Sequence, residues 1–163
     1  STGGLRSMLR FPQIDRWLQD LRAYRRVALD TNLIIYALED VVPYRELARH
    51  LFAFMERGLM TGIASTIVQA AVLVGPLIQR KRLELERAEL IFRNSPNLAI
   101  IDCGRVIARR AAEVRAASRM PLPDAIIIAT ALEARCDALI GNDARMARHT
   151  FGLPYLYMYN YIN

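Results

Sequence analysis

Apolar residues recur along this chain with two different periods, and the switching between them lays out its elements. In residues 11–24 (FPQIDRWLQDLRAY), Ile14, Trp17, Leu18 and Leu21 fall at helical spacing, which predicts a short amphipathic helix docked by one stripe. Residues 26–30 (RVALD) form a brief apolar run that stops at polar Asp30-Thr31-Asn32, and the apolar pattern resumes over 33–38. That order predicts strand, turn, helix. A second helix is expected over 43–57, with Leu47, Leu51, Phe54 and Met55 inward and Gly58 as its stop.

The same reading continues to the end of the chain. It predicts a strand at 62–65, an apolar helix over 66–74 closed by Gly75-Pro76, and a long charged helix over 77–93. A strand follows at 98–102 (LAIID), then a helix over 105–119 and a rigid Met120-Pro121-Leu122-Pro123 turn. Residues 124–134 are apolar on nearly every face, which predicts a central buried helix. The last elements expected are a strand at 138–140, a short helix at 143–148 and a closing strand at 154–159. Strands separated by helices imply parallel pairing through right-handed crossovers, so the expected class is α/β, a three-layer sandwich around a central parallel sheet. Its 163 residues suit one domain, read as 11–163 with the first helix as an N-terminal extension. Residues 1–10, opening on Ser-Thr-Gly-Gly, are read as a tag remnant or a disordered start.

Composition narrows the setting. Apolar residues make up 53% of the chain, yet no continuous apolar run is long enough to cross a bilayer, so no membrane role is expected. Cys103 and Cys136 sit among apolar neighbours without metal-ligand spacing, which predicts buried thiols in a reducing, cytoplasmic compartment. The 22 basic residues outnumber the 16 acidic ones for a net +6, and all but Lys81 are arginine. Such a surface favours a polyanionic partner, although an arginine-rich composition accounts for the charge equally well.

Three aspartates carry the candidate chemistry. Asp30 follows the first strand, Asp143 lies just past the 138–140 strand, and Asp124 opens the buried helix. In an open parallel sheet the functional crevice lies beyond the carboxyl ends of the strands. Each aspartate alone is accounted for as a helix cap. Three converging carboxylates would repel one another, and a hard oxygen-binding cation, Mg²⁺ or Mn²⁺, would relieve that repulsion.

The segments bearing these residues resemble a known family. VALDTNLIIYALE (27–39) is similar to the opening strand and helix of PIN domains, above all of VapC-type toxins. LPDAIIIATAL (122–132) resembles their second aspartate helix, and LIGND (139–143) their closing Thr-Asn-Asp segment. ASTIVQAAVLVGP (64–76) is similar to the helix that in the family carries a glutamate. The resemblance implies a metal-dependent endoribonuclease acting on structured RNA such as a transfer or ribosomal RNA, a cognate antitoxin and a homodimer. It implies Asp30, Asp124 and Asp143 as metal ligands and catalytic residues, with Thr31 and Asn142 orienting them from behind.

Two positions depart from that pattern. The family glutamate falls on Ala71, and the threonine before Asn-Asp is Gly141. Natural degeneration and engineered inactivation both fit the alanine. Either leaves open a degenerate domain that binds RNA or antitoxin without cutting. Glu39 could replace the lost carboxylate, but its place two turns into a helix suits a surface residue better.

Other chemistries are disfavoured. His50 and His149 have no companion at ligand or triad spacing. A haloacid-dehalogenase phosphatase needs a second Asp where Asn32 stands, and no Gly-rich nucleotide loop occurs. Ser65 and Thr66 are expected to cap a helix. Arg80, Lys81, Arg82, Arg87 and Arg93 are expected on a solvated face among Glu84, Glu86 and Glu89. Tyr155, Tyr157, Tyr159 and Tyr161 alternate as one strand face, suited to core or dimer packing more than to base stacking.

Overall fold

The computed structural model describes residues 10–163, so the reading of residues 1–10 as a tag remnant or disordered start falls, Arg10 apart, outside the described residues. The chain builds α1 (Ile14–Leu21), β1 (Arg26–Leu29), α2 (Thr31–Leu38), α3 (Arg45–Glu56), β2 (Thr61–Ser65), α4 (Thr66–Ile78) and α5 (Arg82–Asn94). It continues through β3 (Leu98–Ile101), α6 (Arg105–Ser118), α7 (Leu122–Glu133), β4 (Ala138–Gly141), α8 (Ala144–Ala147) and β5 (Tyr155–Tyr157), and closes in a 3-10 turn at Met158–Tyr161.

The five strands form one parallel sheet in the order β3-β2-β1-β4-β5. The chain therefore winds outward from β1 on one side, then returns to β4 on the other. The carboxyl ends of β1 and β4 flank the point where strand order reverses, and there the crossover connections part to leave a crevice. Alternation along the strands divides the core in two. Val27, Leu29, Ala138 and Ile140 face Trp17, Leu21, Leu47 and Leu51 of α1 and α3, whereas Ala28 and Leu139 face the layer of α4, α6 and α7. This is the expected three-layer α/β arrangement.

The N-terminal extension is part of that core. Trp17 is fully buried, donates from Nε1 to the Leu47 carbonyl at 2.9 Å, and meets Tyr161 edge-on at 4.8 Å between ring centres. The Tyr161 hydroxyl donates to Asp20 of the same helix. The first helix and the end of the chain thus brace each other.

Three local expectations are corrected. The helix expected to end at Gly75-Pro76 runs through Pro76 to Ile78, because packing of Val68 and Val72 outweighs the proline that would stop an isolated helix. The helix expected over 77–93 instead starts at Arg82, after a break at Arg80 with φ +55°. The closing strand ends at Tyr157, since the Tyr159 N–H turns away from the sheet edge to donate to Asn142 Oδ1 at 2.9 Å. The four tyrosines therefore do not share one strand face. Cys136 is buried as expected, but Cys103 is exposed. Among the described residues no helix is long and apolar enough to cross a membrane.

Candidate active site

Asp30 stands at the switch point because β1 ends at Leu29 and the chain turns directly into α2. Its N–H donates to the Ile140 carbonyl at 2.9 Å, and its Oδ1 accepts from Thr31 N–H at 2.7 Å, capping the helix. The side chain is nearly buried, at 6% exposure, and among the described residues Oδ2 has no hydrogen-bond donor. Burial, together with the charges of Asp124 and Asp143, raises its carboxyl to a pKa of about 6, against the opposing Thr31 N–H.

Asp143 caps α8, accepting at Oδ1 from Arg145 N–H at 2.8 Å and Met146 N–H at 3.2 Å. Asp124 lies in the first turn of α7, half-buried, with no hydrogen bond to either oxygen among the described residues. Burial raises its pKa, the Asp143 charge adds to the rise, and Arg145 opposes it. The three carboxylates are thus brought close enough for their charges to act on one another.

Each of the three aspartates keeps at least one oxygen uncommitted, so the donor set is all oxygen and suits a hard divalent cation. Burial does most to raise Asp30, and the added repulsion from Asp124 and Asp143 is the part that such an ion would relieve. Among the described residues no three acidic, His or Cys side chains stand as a group placed to hold a metal ion.

The supporting residues act differently from expectation. Thr31 serves Asp30 through its backbone N–H, with no hydrogen bond from its hydroxyl. Asn142 touches no carboxylate: its Nδ2 donates to the Tyr36 hydroxyl at 2.9 Å and its Oδ1 accepts from Tyr159 N–H at 2.9 Å. It pins the loop before Asp143 between α2 and the closing turn. Ser65 caps α4 as expected, accepting from Ile67 N–H at 3.1 Å, and the Thr66 hydroxyl accepts from Cys103 N–H at 3.3 Å. Ala71 is exposed on α4 and supplies no carboxylate. Glu39 does not replace it. It lines a separate cavity of about 470 Å³ between α2, α4 and α5, and the charges that raise Asp30 are those of Asp124 and Asp143.

Sequence reasoning missed Tyr155. Its hydroxyl accepts from Asp143 N–H at 3.1 Å, and burial, with the nearby Asp30 and Asp143 charges, holds its pKa well above that of a free tyrosine. The signal was Gly141: a side chain there would collide with the phenol, and a glycine ending a strand beside a functional loop marks a close approach.

Comparison with known families matches residues 27–152 to the PIN domain. Among solved structures, a toxin–antitoxin complex from Klebsiella pneumoniae is similar at 27% identity, covering 82% of this chain and 98% of that one, with a TM-score of 0.62. VapBC2 from Rickettsia felis, bound to a fragment of its promoter DNA, is similar at 21% identity, covering 81% and 98%, with a TM-score of 0.62. Mycobacterium tuberculosis VapC20, a sarcin–ricin loop cleaving toxin, is similar at 14% identity, covering 75% and 93%, also at 0.62. Comparison with curated protein sequences gives no match.

The chain belongs to the PIN domain family. The solved structures that share its fold include a toxin–antitoxin complex and VapC toxins, and PIN domains are generally nucleases.

Proposed function

We propose that this protein is a Mg²⁺- or Mn²⁺-dependent endoribonuclease, the toxin of a toxin–antitoxin pair, acting in the cytoplasm. The observation that carries the reading is the mutual approach of Asp30, Asp124 and Asp143 at the switch point of a PIN fold. The reaction is hydrolysis: water oxygen attacks phosphorus, the bond to the leaving oxygen breaks, and a proton passes to that oxygen. A bound ion would supply activation of the water and neutralisation of charge on the phosphate.

The chain's own residues make the site. Asp30, Asp124 and Asp143 would hold the ion, and the Thr31, Arg145 and Met146 N–H groups fix the Asp30 and Asp143 carboxylates, each by one oxygen. Asn142 and Tyr155 set the loop on which Asp143 rides. A cognate antitoxin and a homodimer complete the assembly, a reading supported by the likeness to the Klebsiella toxin–antitoxin complex.

Ala71 favours a second reading, a degenerate domain that binds RNA or antitoxin without cutting, because the family glutamate has no replacement in the cleft. One experiment separates the two. Purified protein is incubated with total RNA and Mg²⁺ or Mn²⁺ beside an Asp30→Asn/Asp143→Asn variant. Cleavage by the first and not the second supports the nuclease. RNA binding with no cleavage in either metal supports the binding module.

A further inference from the structure

A second cavity, of about 210 Å³, opens beside the carboxylates between the end of α6, the start of α7 and α8. Asp124 belongs to its wall, so the cavity and the aspartate cleft share a border. The rest of the rim is basic, made by Arg119, Arg145, Arg148 and His149, and its floor includes Met120 and Met146, which are 8% and 2% exposed.

Most of the charge on this rim is unpaired. Arg49, Arg82, Arg109 and Arg110 lie on helical surfaces and pair with carboxylates. Among the described residues, Arg119, Arg145 and Arg148 form no ion pair and no side-chain hydrogen bond. Arg145 faces the Asp124 charge, and together with Arg119 and Arg148 it leaves the concavity net positive, which attracts an anion; the planar guanidinium forks suit phosphate oxygens. At the same mouth α7 begins at Leu122 after Pro121 with no side-chain cap, so the free Leu122 and Asp124 N–H groups add positive potential.

The floor argues for more than an inorganic anion. Thioether side chains are polarisable and pack well against aromatic rings, and a guanidinium plane stacks on a base. A cationic rim above a methionine floor therefore matches a nucleotide, phosphate at the edge and base inside. A base can enter only if it is unpaired, which selects single-stranded RNA.

We propose that this cavity receives the nucleotide next to the scissile phosphate of a single-stranded RNA segment. Arg119, Arg145 and Arg148 hold its phosphate, and its base lies on Met120 and Met146. The inference rests on the ribonuclease reading for its substrate. It adds a subsite that fixes where along the strand the aspartates act.

The test measures affinity for a short single-stranded RNA in EDTA, where no cutting occurs. It uses Arg119→Gln, Arg145→Gln, Arg148→Gln and the triple variant, with Arg82→Gln as a control on the far-exposed α5 surface. Removal of each pocket arginine is expected to weaken RNA about tenfold, the size of a charge-assisted contact. The triple variant should lower the slope of log affinity against log salt by about 0.7, the value for one phosphate contact on a single strand. Arg82→Gln should leave both unchanged. The wild type should prefer the single strand to its fully paired form, and the triple variant should lose that preference.

An equal effect from Arg82→Gln, or no change in affinity and slope in the triple variant, overturns the subsite. The latter is also the outcome if the pocket serves an acidic peptide. If the wild type cuts RNA and the variants cut equally well, the subsite fails and the nuclease reading stands. If RNA binding depends on the arginines but neither metal supports cleavage, the nuclease reading fails and the subsite stands.

Discussion

The Tyr155 hydroxyl stands where a side chain of residue 141 would begin: a Cβ on Gly141 would lie 2.6 Å from the phenolic oxygen and 2.9 Å from Asp30 Cβ. The glycine and the tyrosine form one unit. The small residue admits the phenol, which then accepts from Asp143 N–H and sets the loop that carries that carboxylate. Restoring the family pattern with Gly141→Thr should therefore destabilise this chain by about 1–3 kcal/mol through overpacking. Part of the loss should return in Gly141→Thr/Tyr155→Phe, where the nearest oxygen is gone. Denaturant melts of the two variants decide it, and a Gly141→Thr protein as stable as the parent rules the relationship out.

Asp30 predicts how stability depends on pH without metal. Its folded-state pKa of about 6 lies above the ordinary 3.8, so the folded state binds the proton more tightly than the unfolded chain. The protonated group costs nothing below about pH 4. Stability then falls as pH rises through that window, and the cost is complete above about pH 6. At pH 7.5 in EDTA, Asp30→Asn should be more stable than the parent by about 2–3 kcal/mol at most, at 1.36 kcal/mol per pKa unit. The difference should vanish near pH 4. A variant that is less stable at pH 7.5 would mean that the carboxylate acts chiefly as the α2 cap.

Metal should reverse that order. An ion on Asp30, Asp124 and Asp143 binds the ionised carboxylates, so added Mn²⁺ should raise the melting temperature of the parent and not that of Asp30→Asn. The shift should shrink as pH drops below about 6, where Asp30 takes up its proton. Calorimetry with and without Mn²⁺ reads this directly, and an equal shift in both proteins would place the ion elsewhere.

Ala71 is exposed, so Ala71→Glu should fold with a stability change within about 0.5 kcal/mol. On the nuclease reading, it should raise cleavage by about a hundredfold at saturating metal, the usual worth of one electrostatic contact in a catalytic site, with little gain in RNA affinity. Equal cleavage rates would show that the carboxylate is not required.

Truncating Trp17 probes the extension. Its ring is fully buried against Leu47 and Tyr161, so Trp17→Ala should cost about 3–5 kcal/mol. A loss below about 1 kcal/mol, by urea melt, would mean that α1 is dispensable to the fold.

Local chemistry made much of this molecule legible from its residues alone. Period and breaker residues located the five strands and the docking helix, since a stripe such as Ile14, Trp17, Leu18 and Leu21 needs only one buried side to declare itself. The three aspartates stood out as candidates because each follows a strand or opens a helix, positions that a one-dimensional pattern records. Pairwise competition was not recorded there. Packing of Val68 and Val72 carried α4 through Pro76, and the Asn142 side chain drew Tyr159 off the sheet edge; both outcomes depend on partners distant in sequence. The same holds at the site. Order along the chain picked out the candidate carboxylates, whereas their mutual charge, the phenol of Tyr155 over Gly141 and the arginines beside Asp124 came only with the fold, because burial and Coulomb energy depend on distances that spacing does not carry.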